Sequence, residues 1–390
     1  MKSRKHNIIA IAALLALGSG LSQSTCADAG SAPAQEHLLN SASTTPAQGH
    51  LLNSADAPAK KPLSNSSPAQ PSASTLAETG RDPAEFPAYV EQLKQQARQA
   101  GIDEQTITNG FIGVHFVDHA VTSDRNQPEK KFTLDDYLAR IMTPERIEQG
   151  RENLGKYHQQ LQQVAARYGV SPAYVVALWA MESRYGAIQG KEEVVSALAT
   201  LAFEGRRERF FTDELLAALK IIQRQQISAA ELKGSWAGAM GQSQFMPSSF
   251  LRYGADGDGD GKIDIWNNVD DVFASTANYL ASQGWQAGER WGQQVSLPDS
   301  FDRQKAGTRE GQGRTIAQWQ AAGVTLSAPA PSPQQRAWII LPDDAQNRAF
   351  MVFDNFRTIM RWNRSYYFAL SVGMMADVLA KPASAAADAP

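Results

Sequence analysis

Apolar residues recur at helical spacing through most of the centre of the chain. Phe86, Val90, Leu93 and Ala97 return to one face of a helix after Asp82-Pro83, and Gly101 supplies a stop. Thr143-Pro144-Glu145 pairs an N-cap with a first-turn proline. Ile147, Leu154, Tyr157, Leu161, Val164 and Tyr168 then carry one stripe as far as Gly169. That pattern predicts a single long amphipathic helix. Ser171-Pro172 opens another helix in the same way, with Gly186 marking its end. Similar patterns cover residues 194–203, 212–225 and 271–283. After Trp291 the texture changes. Gly, Pro and Gln separate short apolar runs such as Trp338-Ile339-Ile340-Leu341 and Met351-Val352-Phe353, which predict strands packed beside the helical body. A last helix over residues 366–379 precedes an Ala-rich tail at 381–390. The expected fold class is α+β, mainly α.

The first 80 residues do not share this texture. Lys2, Arg4 and Lys5 precede an apolar run over residues 8–17 and then small residues, the order of a secretory signal peptide spanning 1–27. The run is shorter than the roughly 20 apolar residues of a spanning helix, so the expectation is export to the periplasm with cleavage of the signal. Cys26 stands where a lipoprotein is acylated, yet Gln23-Ser24-Thr25 lacks a lipobox pattern. An outer-membrane lipoprotein, touching the membrane only through Cys26, is the alternative. One cysteine excludes an internal disulfide. Residues 28–80 are dominated by Ala, Ser, Pro, Gln and Asn, with too little apolar area to offset the entropy of folding. A ten-residue unit starting at Pro33 recurs from Pro46, too short to build a solenoid, so His37 and His50 read as solvated residues of a flexible tether. Residues 81–380 remain as the folded body. The whole chain's 37 basic and 40 acidic side chains, a net charge of -3, create no field that argues for nucleic acid.

The candidate chemistry begins with Glu182. Offsets of three, four and seven residues place Val175, Leu178, Trp179 and Glu182 on one helical face. A carboxyl written into an apolar stripe beside Trp179 and Tyr185 is desolvated, which raises its pKa and suits it to general acid work near neutral pH. A structural glutamate paired with Arg184 or another arginine would give the same pattern.

Met181-Glu182-Ser183-Arg184-Tyr185-Gly186 resembles the catalytic glutamate signature of lytic transglycosylases. Three further blocks are similar to the membrane-bound lytic transglycosylase B family: residues 197–203 with Arg206-Arg207, residues 234–249, and Asn355-Phe356 through Arg361-Trp362-Asn363. The resemblance spans residues 86–379. It implies a lysozyme-like helical catalytic core with an α domain and a small β-containing domain, acting on peptidoglycan glycan strands, with other cell-wall enzymes as possible partners. It further implies that Glu182 is both acid and base in cleavage between N-acetylmuramic acid and N-acetylglucosamine, leaving 1,6-anhydro ends. By the same resemblance Ser235 and Gln244 line the sugar site, Tyr137 and Tyr367 flank the cleft, and Asn363 orients the acid or the N-acetyl group. Arg206 and Arg207 would contact stem-peptide carboxylates or lactyl groups; pairing with Glu204 or Glu208 is the structural alternative. This chain departs from many relatives at Ser183 and at Gln242-Ser243, which touches subsite detail and not the chemistry.

Residues 256–264 alternate Asp with Gly and reproduce the start of an EF-hand loop. Position twelve is Asn267 instead of the usual bidentate acid, and Asp270 fits the lengthened EF-hand-like loop of the family, spanning 256–270. The expectation is a structural calcium held by Asp256, Asp258, Asp260, the Lys262 carbonyl and Asp270, with Asp264 binding directly or through water. A muramidase that uses water would need a second carboxylate across the cleft. A noncatalytic glycan-binding protein would not need Glu182 and Gln244 together.

Overall fold

The computed structural model describes residues 81–125, 133–225, 227–329, 331–342 and 348–381. The expected signal peptide, the tether, Cys26 and the tail beyond Lys381 lie outside the described residues. No helix among the described residues is long and apolar enough to cross a membrane.

Four helices lead in: α1 (Phe86–Gln99), α2 (Glu104–Gly110), α3 (Asp118–Arg125) and α4 (Leu134–Ile141). Asp103 caps α2, and Thr133 with Asp136 forms a reciprocal capping box for α4. The single helix expected from Thr143 to Gly169 is two, α5 (Pro144–Lys156) and α6 (His158–Tyr168). The break falls at Tyr157 (φ -106°, ψ 25°). Its ring packs edge-on against Trp179 at 5.8 Å and Phe273 at 5.6 Å. Core packing overrides the local helical pattern there, helped by Gly155 two residues earlier.

Helix α7 (Pro172–Ser183) is buried on every face from Ala173 to Ser183, not along one stripe. It is wrapped by α5, α6, α11 (Val269–Ser282) and α14 (Tyr366–Leu379). It stops at Arg184, two residues before the glycine expected to end it. Beside this centre, α8 (Val194–Glu204) pairs with α9 (Glu208–Gln225), and α10 (Pro247–Tyr253) packs on α9. A two-stranded ribbon joins β1 (Glu192–Glu193) to β2 (Lys233–Gly234).

The C-terminal third contributes an antiparallel sheet in the order β4 (Arg314–Thr315), β6 (Arg336–Ile340), β7 (Ala349–Val352), β3 (Gly292–Ser296), β5 (Thr325–Leu326). Both faces of β6 and β7 are covered. Trp338, Ile340, Phe350 and Val352 join the main helical core, whereas Ala337, Ile339, Ala349 and Met351 meet Trp319 of α12 (Ile316–Ala321) in a second, smaller core. Burial on both faces explains why these strands read as continuous apolar runs without alternation. Helix α13 (Asp354–Trp362) then returns the chain to α7 and ends at the acid.

Candidate active site

Glu182 sits in the last turn of α7 and is 6% exposed. Burial pushes its carboxyl up to about 8, and the Trp362 indole N–H, donating to Oε1 at 2.8 Å, opposes that rise by favouring the anion. No other carboxylate is among the groups that perturb it. At neutral pH the acid therefore holds its proton, as a general acid must. Trp362 is itself clamped by Phe245 and Tyr279, at ring distances of 5.2 and 4.7 Å.

The chain leaves α7 through three successive left-handed residues, Arg184 (φ 50°), Tyr185 (φ 59°) and Gly186 (φ 82°). Two of them carry a Cβ, which costs roughly 1–2 kcal/mol apiece in that region, so surrounding bonds must hold the turn. Tyr185 donates its hydroxyl to the Arg146 carbonyl at 2.7 Å, and Ser183 Oγ accepts from the Gly186 amide at 2.9 Å. Gln189 donates to the carbonyls of Gly186 and Trp266. A Cβ on Gly186 would strike the Gln242 side chain, so glycine is required there for space as well as for φ.

Gln242, one of the departures from the family pattern, links the acid's helix to the acidic loop. It accepts from Trp179 Nε1 at 2.8 Å and donates to the Trp266 carbonyl at 2.9 Å. Gln244 adopts φ 49° and donates to the carbonyls of Gln189 and Gly241, leaving its buried Oε1 without a partner. Ser235 Oγ accepts from the amides of Ala237 and Ala239, so it shapes its own turn. Gly186, Gln189, Ser235 and Trp236 line a groove of about 1140 Å³ that continues past β1 and β2 to Lys262 and Asn267.

Tyr137 is 5% exposed, and among the described residues its hydroxyl has no hydrogen-bond partner. Burial and the nearby Glu182 charge raise its pKa. Its ring meets Tyr367 at 5.6 Å. Asn363 is buried directly after Trp362, at the end of α13. Tyr137 thus lies within reach of the Glu182 charge, Tyr367 packs on Tyr137, and Asn363 follows the Trp362 that bonds the acid, while Gln244 bonds to the Gln189 carbonyl and Ser235 shares the groove with Gly186 and Gln189. Arg206 and Arg207 lie in a different cluster. Both bond to the buried carboxylate of Asp124, and Arg206 also bonds to Glu204, which Arg125 reaches as well. The expected Glu204 pairing is present, but Glu208 pairs with Arg81 instead, and Asp124 went unnoticed in the sequence.

In the acidic loop, carboxylate oxygens of Asp256, Asp258 and Asp260 lie within 4.8 Å of one another. Amides of Gly259 and Gly261 donate to Asp256 and hold its carboxyl below the usual range. Burial and the Asp258 charge raise Asp270. Asp264 turns back on its own chain, accepting from the amides of Trp266 and Asn267. Asp271, fully buried and not singled out in the sequence, accepts from the amides of Gly257 at 2.7 Å and Asp264 at 2.6 Å. It ties both ends of the loop to α11.

One desolvated glutamate at the end of a wrapped central helix, with the turn that follows it lining a groove, is the arrangement of the lysozyme-like fold. Residues 85–377 match the family described as transglycosylase SLT domain, and the chain belongs to that family. It is 34% identical over 250 residues to the membrane-bound lytic murein transglycosylase B of Escherichia coli K12, a match covering 63% of this chain and 66% of that protein, just under two thirds of its length. Among solved structures, SltB3 of Pseudomonas aeruginosa in complex with NAG-anhNAM-pentapeptide is similar at 42% identity and a TM-score of 0.71, over 75% of this chain and 79% of that one. The Escherichia coli lytic transglycosylase Slt35 in complex with calcium is similar at 29% identity and a TM-score of 0.66, over 75% and 92%.

Proposed function

We propose that this protein is a peptidoglycan lytic transglycosylase and that Glu182 is its only proton-transfer group. Protonated Glu182 gives its proton to the glycosidic oxygen between N-acetylmuramic acid and N-acetylglucosamine as the C1–O bond breaks. The carboxylate so formed takes the proton of the muramoyl 6-hydroxyl while that oxygen bonds to C1. A 1,6-anhydro end results, no water is consumed, and the acid is restored. The Trp362 N–H steadies the anion between the two transfers. The observation that carries this reading is the buried, proton-holding Glu182 with no second carboxylate acting on it among the described residues. Glycosidases that hydrolyse through two carboxyls keep the second one within roughly 5–9.5 Å. The SltB3 complexes with muramoyl-pentapeptide ligands support the same substrate class.

In this reading Gln244 turns its unpartnered Oε1 to a sugar donor, Ser235 lines the groove, and Tyr137, Tyr367 and Asn363 hold the sugar beside the acid. Arg206 and Arg207 serve the fold through Asp124. The loop fits calcium: its donors are hard oxygens, and three carboxylates held together favour a cation between them. Asp256, Asp258 and Asp260, with the Lys262 carbonyl and Asp270, would hold it, and Asp264 would act through water at most. Its role is structural. The basic and apolar start of the chain supports work in the periplasm.

Mass spectrometry of muropeptides released from purified peptidoglycan tests the reading. Products lighter by one water, carrying 1,6-anhydro ends and absent with Glu182→Gln, are expected. Reducing ends would make the protein a hydrolase, and no release from the wild type would make it a binding module.

A further inference from the structure

Among the described residues, no carboxylate neutralises the charge of Arg146. The side chain, in the first turn of α5, is 9% exposed. Among the described residues its Nε has no hydrogen-bond partner, and the ionised group acting on it is Arg184, a like charge, with the neutral phenols of Tyr185 and Tyr137 beside it and no carboxylate. A desolvated guanidinium is costly unless something pairs with it. The protein nonetheless fixes it in place, since the Arg146 carbonyl accepts the Tyr185 hydroxyl from the turn that follows Glu182. Tyr137, whose hydroxyl is also buried and unpartnered, feels both Glu182 and Arg146. An unneutralised cation and an unused phenol thus sit together, one side chain away from the acid. The Arg206 and Arg207 cluster differs, because Asp124 and Glu204 already satisfy it.

We infer that Arg146, with Tyr137 beside it, is the subsite for the lactyl ether that distinguishes a muramoyl residue from N-acetylglucosamine. The inference rests on the glycan-cleaving reading above. The lactyl group hangs from C3 of the sugar whose C1 reacts, so its oxygens fall close to the acid. They are a carboxylate in peptide-free strands and an amide carbonyl where a stem peptide is attached. A guanidinium binds either one, and the carboxylate more strongly. A chain of N-acetylglucosamine offers nothing at that place, so Arg146 sets which sugar is presented to Glu182.

Calorimetry on the full chain carrying Glu182→Gln, which binds without turnover, tests this. Three ligands are compared: peptide-free N-acetylglucosaminyl-N-acetylmuramic acid, its lactyl amide, and chitobiose. The acid form is expected to bind about ten- to a hundredfold tighter than chitobiose, the range of a charge-assisted contact. Salt should erode that preference, and the amide should fall between the two without the salt dependence. Adding Arg146→Gln should abolish the preference, leave chitobiose binding unchanged and give a melting temperature no lower than before, since an unpaired desolvated charge is removed; Arg146→Lys should restore part of the preference. Equal affinities for the acid and chitobiose with Arg146 intact would overturn the inference even if the variants fail to fold. So would an equal loss for both ligands in Arg146→Gln. Release of 1,6-anhydro ends by the wild type reports separately on the reading. A preference with no release keeps the subsite and discards the enzyme.

Discussion

At the scale of single residues, the role proposed for Glu182 ties activity to stability through one titration. Its carboxyl ionises near 4.5 when unfolded and at about 8 when folded. Its neutral, buried form therefore favours the fold fully below pH 4.5, and that contribution is lost as pH rises towards 8. At about 1.4 kcal/mol for each pKa unit, the loss amounts to several kcal/mol. Glu182→Gln keeps the shape without the titration. Its melting temperature should match the wild type at pH 4.5 and exceed it at pH 9, measured by calorimetric scans across that range. Wild-type activity should decline above pH 8 as the acid loses its proton. Trp362→Phe removes the one donor seen on the carboxyl. The anion becomes less favourable, so the alkaline limb of the pH–rate profile should move upward by about one unit, the scale of one hydrogen bond to a charged group. The rate at the optimum should fall because the ring-closing step loses its stabilised base.

At the scale of elements, the turn after α7 and the acidic loop form one assembly. Gln242 and Gln189 both reach the Trp266 carbonyl, and Gln242 also holds Trp179 of α7. A calcium ion in the loop would therefore stiffen the support of Glu182 as well. Chelation should lower the melting temperature, and calcium at about a hundred times its dissociation constant should restore roughly 3 kcal/mol. Asp271 sharpens this test. It binds two loop amides from a fully buried position on α11, so Asp271→Asn should weaken calcium binding several-fold, read by titration calorimetry, without removing an ion ligand. Unchanged affinity would mean that the loop keeps its shape without that tie.

At the scale of the whole molecule, the last helix completes the wrapping of the catalytic one. Helix α14 packs on α7, and Phe368, Leu370, Val372 and Met375 are fully buried. Phe368→Ala should cost about 3–5 kcal/mol in denaturant unfolding, and a chain ending at Ser365 should not fold. Phe368→Ala should reduce activity only in proportion to folded protein, because Phe368 supports the core that seats Glu182 and is not among the residues that line the groove. The sheet plays the matching part on another side. Its double-faced strands join a small outer core to the main one and lead into α13, which delivers Trp362 to the acid.

Features written in neighbouring residues were legible in the sequence. Pro with Ser or Thr at helix starts located the beginnings of α5 and α7, and the apolar runs located β6 and β7. The Glu182 motif and the Asp-Gly loop are each contiguous, so both could be picked out directly as candidates, and the mainly helical fold class followed from the periodicity. What stayed hidden depends on residues far apart in the chain. Trp362 meets Glu182 across 180 positions and Gln242 meets Trp179 across 63, and neither pairing leaves a local pattern. The split at Tyr157 was decided by Trp179 and Phe273 drawing its ring into the core. The isolation of Arg146 is likewise tertiary: a sequence shows that an arginine is present, and only packing shows that no carboxylate comes to meet it. Local propensity and periodicity determine where elements begin and what chemistry they carry. Burial, and therefore the protonation and pairing of each charge, is settled only when the elements close around one another.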